Sequence, residues 1–241
     1  MSKILHVGLD VGSTTVKIVV IDEDLNIIYE NYQRHFSDTK NTVCQVLENL
    51  AKDYEDYTYT IALTGSGAMS AARFLDLPFI QEVVACKRAV EKYIPKTDVV
   101  IELGGEDAKI IYFGKSIEQR MNGTCAGGTG AFIDQMASLL NTDSSGLNEL
   151  AKKHKMIYPI ASRCGVFAKT DVQPLLNEGA DREDIAASIF QAVVNQTISG
   201  LACGRPIRGN VAFLGGPLNY LSELRQRFIE TLHLTPNQTI I

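Results

Sequence analysis

The chain has 241 residues, 28 acidic against 23 basic side chains, a formal net charge of −5, five cysteines and no tryptophan. At roughly 100–200 residues per domain this is one large domain or two packed lobes, and 45% hydrophobic against 21% charged residues supports a buried core and excludes disordered and fibrous classes. The negative charge is spread along the chain, which sets nucleic acid and anionic membranes aside as partners, and no apolar run approaches the roughly 18–20 residues of a spanning helix. Met1-Ser2-Lys3 leads straight into a strand-like segment rather than a signal peptide, so the cytoplasm is the expected compartment.

In chain order, Ile4 to Leu9, Val16 to Ile21 and Asn26 to Tyr32 read as strands, the first two joined by a polar Gly-Ser-Thr-Thr turn. Thr42 to Leu50 has helical spacing, Thr58 to Leu63 alternates like a strand, and Val83 to Tyr93 reads as a helix that Pro95 stops. At Val99 the pattern restarts. Leu9 to Val20 lies over Ile101 to Tyr112 without a gap, with Asp10 on Glu102, Gly12 on Gly104 and Lys17 on Lys109, a constant offset of 92 positions (102 − 10) that reads as an internal duplication. Helical segments follow near Gly130 to Leu140, Gly146 to Lys153 and Arg182 to Ala202, then strand Val211 to Leu214 and helix Leu218 to Leu232. The expected organisation is two α/β lobes, 1–95 and 96–241.

The chemistry concentrates at three turns. In the first, Asp10 ends a buried strand, Gly12, Ser13, Thr14 and Thr15 form a small-residue turn, and Lys17 follows. Glycine lets backbone N–H groups approach a phosphate, hydroxyls add donors, and a nearby carboxylate can hold the waters of Mg²⁺, a combination that suits a nucleoside triphosphate. The bland alternative is an ordinary hairpin with a solvated aspartate. The second copy offers Glu102, Gly104, Gly105, Glu106 and Asp107, and Gly215, Gly216 and Pro217 follow a third apolar strand, either as part of the same ligand site or as a plain strand-to-helix turn. Neither a Walker motif nor an early Gly-x-Gly-x-x-Gly is present, so P-loop and Rossmann folds are excluded.

The five cysteines are widely spaced, without a CxxC pair, which argues against a disulfide framework and for reduced thiols or metal ligands. Cys125, in Asn122-Gly-Thr-Cys-Ala-Gly-Gly-Thr-Gly130, and Cys164, in Ser162-Arg-Cys-Gly-Val-Phe-Ala-Lys-Thr-Asp171, each precede a predicted helix, where free N–H groups favour a thiolate and an anionic ligand such as an iron–sulfur cluster. Two cysteines are half of the four such a cluster takes, so a two-fold dimer is implied. Cys44, Cys86 and Cys203 sit within helical patterns and are read as buried structural cysteines.

The duplicated hairpins and the glycine pair resemble the superfamily of actin, sugar kinases and heat-shock chaperone ATPases. That resemblance implies an α/β fold of two duplicated ribonuclease-H-like lobes with a nucleotide cleft between them. Asp10 to Lys17 would be the first phosphate loop, Glu102 to Asp107 the second, and Gly215, Gly216, Pro217, Leu218 and Asn219 the adenosine loop, with ATP or ADP and Mg²⁺ as ligands. The cysteine segments are similar to those of the activator ATPases of 2-hydroxyacyl-CoA dehydratases and the related ATPase subunits of benzoyl-CoA reductases. This implies one [4Fe–4S] cluster per homodimer, held by Cys125 and Cys164 of each subunit. ATP binding and hydrolysis would drive a low-potential electron from the cluster to a dehydratase-type or acyl-CoA reductase partner, with a ferredoxin or flavodoxin-like donor. Glu82 and Glu106 are the candidates for positioning the attacking water.

The sequence departs from that family where Glu-Leu-Gly-Gly-Glu-Asp replaces the usual Asp-Ile-Gly-Gly-Gln-Asp, at Pro217, and in lacking the family's closing helix after Thr235 to Ile241, which reads as a fragment of a longer protein. A small-molecule kinase of the same fold, for a sugar or an acyl group, and a nucleotide-dependent chaperone module are the alternatives. A colourless monomer that phosphorylates a small molecule would favour the kinase, and ATP binding without iron the chaperone.

Overall fold

The computed structural model describes residues 4–114, 116–122, 127–161 and 165–240. They divide into two units, Met1–Tyr93 and Ile94–Ile241. The first contains β1 (Ile4–Val11), β2 (Thr15–Ile21), β3 (Ile27–Arg34), α1 (Thr39–Asp53), β4 (Thr58–Thr64), α2 (Ala68–Leu75) and α3 (Glu82–Tyr93). Its sheet has the order β3-β2-β1-β4, with β1 antiparallel to β2 and parallel to β4. Buried residues alternate along β1, as expected of a half-buried strand, and α1 places Thr42, Val46 and Leu50 at helical spacing against the same core.

The second unit contains β5 (Val99–Leu103), β6 (Ala108–Tyr112), β7 (Glu118–Met121), α4 (Gly130–Leu139), α5 (Ser144–Ala151), α6 (Gly165–Asn177), α7 (Arg182–Thr197), β8 (Val211–Leu214), α8 (Gly216–Tyr220), α9 (Ser222–Thr231) and β9 (Thr239–Ile240). Its sheet runs β7-β6-β5-β8-β9, again with the first hairpin antiparallel and the crossover strand parallel. Apart from the added β9, strand order and direction repeat the first unit. The repeat extends to register: Asp10 lies opposite Lys17 in one hairpin and Glu102 opposite Lys109 in the other.

Several elements differ from their sequence expectation. The helix expected over Arg182 to Ala202 is α-helical only to Thr197 and continues as a π-helix over Ile198–Ala202. By length and composition this 21-residue stretch could cross a membrane, but 67% of its apolar window is buried, and Ile185, Ile189, Phe190 and Val193 pack into the core of the unit. The helix expected over Leu218 to Leu232 breaks at Leu221, whose backbone is extended (φ −102°, ψ 90°), into the short α8 and α9. The three cysteines read as buried are not: Cys44 is exposed on α1, Cys86 half-buried on α3, and Cys203 exposed just past the π-helix in a left-handed conformation (φ 47°).

Residues 155–161 lack regular structure and are fastened by side chains instead of a ladder. Asp184, on the first turn of α7 and only 4% exposed, accepts the N–H of Lys155 at 2.6 Å and of Met156 at 3.1 Å. Ser188 Oγ accepts the N–H of Tyr158 at 2.7 Å, and Asp171 of α6 accepts that of Ala161 at 2.7 Å. The Lys155 N–H, seconded by that of Met156, holds the Asp184 carboxyl below its ordinary range against the opposing effect of burial. Asp184→Ala leaves both donors unmet and is expected to cost about 2–3 kcal/mol near neutral pH. Because the folded carboxyl titrates below the unfolded one, this stabilisation is complete above about pH 4 and fades as the pH falls through the folded value. Urea denaturation should therefore show the gap between wild type and variant narrowing in acid.

Candidate functional site

In the first unit, β1 delivers Asp10 to the mouth of the turn Gly12–Thr14, which the Gly12 N–H closes by donating to Thr15 O at 2.9 Å. Lys17, facing Asp10 across the hairpin, donates to its Oδ2 at 2.6 Å. The other carboxylate oxygen, Oδ1, is buried and has no hydrogen-bond partner among the described residues, as is true of Oγ1 of Thr64, the residue beside Asp10 on β4. Two buried polar atoms without described partners, on residues paired between β1 and β4, fit an external donor such as a metal-bound water. The backbone closes on it at Gly65, where φ is +100° and a Cβ would lie 2.4 Å from Asp10 Oδ1, so only glycine serves there. Ser13, Thr14 and Thr15 line the turn, Thr15 buried and Ser13 exposed.

Sequence reasoning missed two supports of this turn. One is the Thr64–Gly67 segment, whose Gly67 N–H donates to Val11 O at 2.8 Å; its signal was a glycine-rich tetrapeptide directly after a strand. The other is His35, 7% exposed and just past β3. The Ser37 N–H meets its Nδ1 at 3.1 Å, which makes Nδ1 the acceptor and leaves Nε2–H to donate to Gly12 O at 3.2 Å. Its own N–H donates to Thr14 O at 3.1 Å.

In the second unit the turn Gly104–Asp107 is closed by the Gly104 N–H to Asp107 O at 2.7 Å. Lys109, 4% exposed, lies 3.3 Å from Glu102 Oε1 and 2.9 Å from Asp107 Oδ2, so a buried cation binds the two carboxylates together. Glu102, the longer acid noted in the sequence, is thereby turned to its lysine. Glu106 stands exposed at the apex. Gly105 lies beside it, its carbonyl accepting the Ala131 N–H at 2.7 Å.

The Gly215 turn meets the same loop. Gly215 has φ +89°, and a Cβ on it would fall 2.1 Å from Leu103 O. Pro217 takes a first-turn position of α8, where its missing N–H costs nothing, and lies 3.4 Å from the Cβ position of Gly130. Leu218 is fully buried; Arg225, missed in the sequence, binds the carbonyls of Leu218 and Asn219 at 2.6 and 3.3 Å and so fixes the end of the turn. The strand ends of β5 and β8, the N-terminus of α4 and the α8 turn are thus brought together within this unit.

Glu82 opens α3 and is half-buried. Cys125 and Cys164 lie outside the described residues; α4 opens at Gly130 and α6 at Gly165. Among the described residues no group of three or more His, Cys, Asp or Glu side chains is arranged to hold a metal ion.

Residues 7–231 match the BadF/BadG/BcrA/BcrD ATPase family. Over 219 residues the chain is 34% identical to the (R)-2-hydroxyglutaryl-CoA dehydratase activating ATPase of Acidaminococcus fermentans, covering 88% of this chain and 83% of that protein. The crystal structure of the A. fermentans (R)-2-hydroxyglutaryl-CoA dehydratase component A superposes with a TM-score of 0.85 at 29% identity, over 98% of this chain and 91% of that one. The activator of 2-hydroxyisocaproyl-CoA dehydratase from Clostridium difficile, with bound ADPNP, gives 0.83 at 28% identity, over 98% and 87%. The α/β architecture is that of these activators, and the chain belongs to the BadF/BadG/BcrA/BcrD ATPase family.

Proposed function

We propose that the chain is an ATP-dependent activator of a 2-hydroxyacyl-CoA dehydratase-type enzyme, in which ATP binding and hydrolysis drive a low-potential electron to the partner. The observation that carries this reading is the 34% identity, along most of both chains, with an activating ATPase of such a dehydratase. The nucleotide is assigned to Asp10, Gly12, Ser13, Thr14, Thr15 and Lys17 in one unit and to Glu102, Gly104, Gly105, Asp107 and Gly215 to Asn219 in the other. Oδ1 of Asp10 would accept from a water of the Mg²⁺ that accompanies the nucleotide, while Lys17 holds the carboxylate in place through Oδ2. Glu106, exposed at the apex of its turn, and Glu82 are the groups proposed to orient the attacking water. Lys109 holds the second turn in one conformation through Glu102 and Asp107.

Cys125 and Cys164 are assigned as thiolate ligands, two from each subunit of a homodimer, which together match the four that a [4Fe–4S] cluster takes. Such a cluster supplies one-electron chemistry at low potential. Its electron would come from a ferredoxin or flavodoxin-like donor, and the cytoplasm, where thiols stay reduced, is the compartment this chemistry requires.

Asp10→Asn is expected to lower ATP turnover about a hundredfold with the fold retained, measured as phosphate release beside the thermal transition. For the cluster, protein reconstituted anaerobically should contain four irons per dimer and give an EPR signal on reduction. The double variant Cys125→Ala, Cys164→Ala should contain none. A cluster that survives the double substitution, or a colourless monomer that phosphorylates a sugar or acyl substrate, overturns the assignment.

A further inference from the structure

The two copies differ at one strand pairing that lies outside the aligned hairpins. β1 and β4 set Asp10 beside Thr64, whereas β5 and β8 set Glu102 beside Leu214. Both crossover strands are followed by a glycine of positive φ, Gly65 at +100° and Gly215 at +89°, so the backbone frame repeats and the side chain next to the acid is what changes. Paired positions on neighbouring strands send their side chains to the same face of a sheet, which gives the first acid a hydroxyl for company and the second a hydrocarbon. The acids are also occupied differently. Glu102 Oε1 and Asp107 Oδ2 converge on buried Lys109, at 3.3 and 2.9 Å. In the first copy Lys17 takes only Oδ2 of Asp10, at 2.6 Å, and Asp10 Oδ1 and Thr64 Oγ1 are both buried with no hydrogen-bond partner among the described residues. Oδ1 lies against the end of β4, since a Cβ on Gly65, the residue after Thr64, would fall 2.4 Å from it.

Unmet polar atoms in a buried place cost stability, and a fold retains them where a ligand completes them. A water bound to a divalent cation gives its lone pair to the metal and is left with two O–H donors, so it needs two acceptors. A carboxylate oxygen and a hydroxyl oxygen on paired residues supply them. Mg²⁺ gives up its waters reluctantly and is held largely through them, which suits such a pair better than direct ligation. We infer that Thr64 is a positioning residue of the first copy, whose Oγ1 joins Asp10 Oδ1 in accepting from a metal-bound water and so anchors the hydrated cation there. The side chain of Leu214 offers no such acceptor beside Glu102, so the second copy has no counterpart of this pair. The inference rests on the proposed nucleotide role of the Gly12–Thr14 turn, which brings the cation with it.

The test uses the full chain with Mn²⁺ in place of Mg²⁺ and takes three readings: Mn²⁺ affinity of the ADPNP complex from the EPR signal of free Mn²⁺, ADPNP affinity in EDTA, and the thermal midpoint of the ligand-free protein. Thr64→Val keeps the branched shape that suits a strand and removes the hydroxyl. It should weaken Mn²⁺ binding about tenfold, the usual effect of losing an outer partner of a metal site, and leave ADPNP affinity in EDTA within about threefold of wild type. Its ligand-free midpoint should equal or exceed that of wild type, because the lost hydroxyl has no hydrogen-bond partner among the described residues. Thr64→Ser, which restores the hydroxyl, should return Mn²⁺ affinity to within about threefold of wild type. Wild-type Mn²⁺ affinity in Thr64→Val, or no recovery in Thr64→Ser, overturns the role of Thr64 while leaving the nucleotide reading intact. A ligand-free midpoint well below wild type, failure of Thr64→Val to fold, or an equal loss of ADPNP binding in EDTA shows that the hydroxyl serves the fold or the nucleotide instead, and overturns the inference as well. Failure of wild type to bind Mn·ADPNP overturns the underlying reading.

Discussion

A carboxylate at the end of a buried strand must be held and aimed, and both units meet that requirement with a lysine placed directly opposite on the next strand. The antiparallel register does the placing: a slip of one residue would send the lysine to the other face of the sheet. The two copies use it differently. Lys17 and Asp10 are each about a third exposed, with side-chain accessibilities of 36% and 30%, so the pair adds little stability and serves to orient. Lys109 is 5% accessible and needs both Glu102 and Asp107, because one buried cation without adequate partners is costly. Three charges therefore lock the second turn, while in the first one buried carboxylate oxygen has no hydrogen-bond partner among the described residues.

The glycines follow from that placement. Gly65 and Gly215 both adopt positive φ where a neighbouring strand end leaves no space for a Cβ, one against Asp10 and Val11, the other against Leu103. In each unit, then, the crossover strand, β4 or β8, ends in a glycine that lets its backbone lie against the acid-bearing strand. A side chain at either position would push apart the two strand ends on which the turns are mounted.

Much of this was legible in the sequence because the duplicated hairpins align without a gap, so that acid, glycine and lysine keep one offset and the shared strand order follows. What escaped detection had weak or misleading local signals. β7 is four residues, Glu-Gln-Arg-Met, whose interest lies in pairing with β6 rather than in hydrophobicity. The break at Leu221 has no proline or glycine to mark it; it arises because Leu218 and Leu224 are both fully buried on either side of a change in direction. The cysteines show the limit of helical periodicity used without phase. With Thr42, Val46 and Leu50 as the buried stripe of α1, Cys44 falls on the opposite side of the helix, which is why it is exposed. Among the supports of the site, His35 and Arg225 carry no motif, and Asn122, although it opens the quoted Cys125 segment, shows nothing of its role there, because each acts on backbone carbonyls or N–H groups that only the fold brings near.

His35 and Asn122 illuminate the duplication from outside the aligned window. Each is the first residue past the third strand of its meander, and each turns back a side-chain N–H onto a carbonyl of the neighbouring turn while its own backbone N–H continues the pairing toward the middle strand. They differ in type and do not share the constant offset, so sequence comparison of the two halves would not pair them. Topology does, because a three-stranded meander necessarily returns its third strand to the turn that joins the first two. The elements that follow diverge: α1 follows His35 in the first unit, whereas in the second α4 opens at Gly130, whose N–H donates to Gly104 O of the same turn. The brace is thus common to both copies, and in the second the N-terminus of α4 adds two backbone hydrogen bonds to the same turn, from Gly130 to Gly104 O and from Ala131 to Gly105 O.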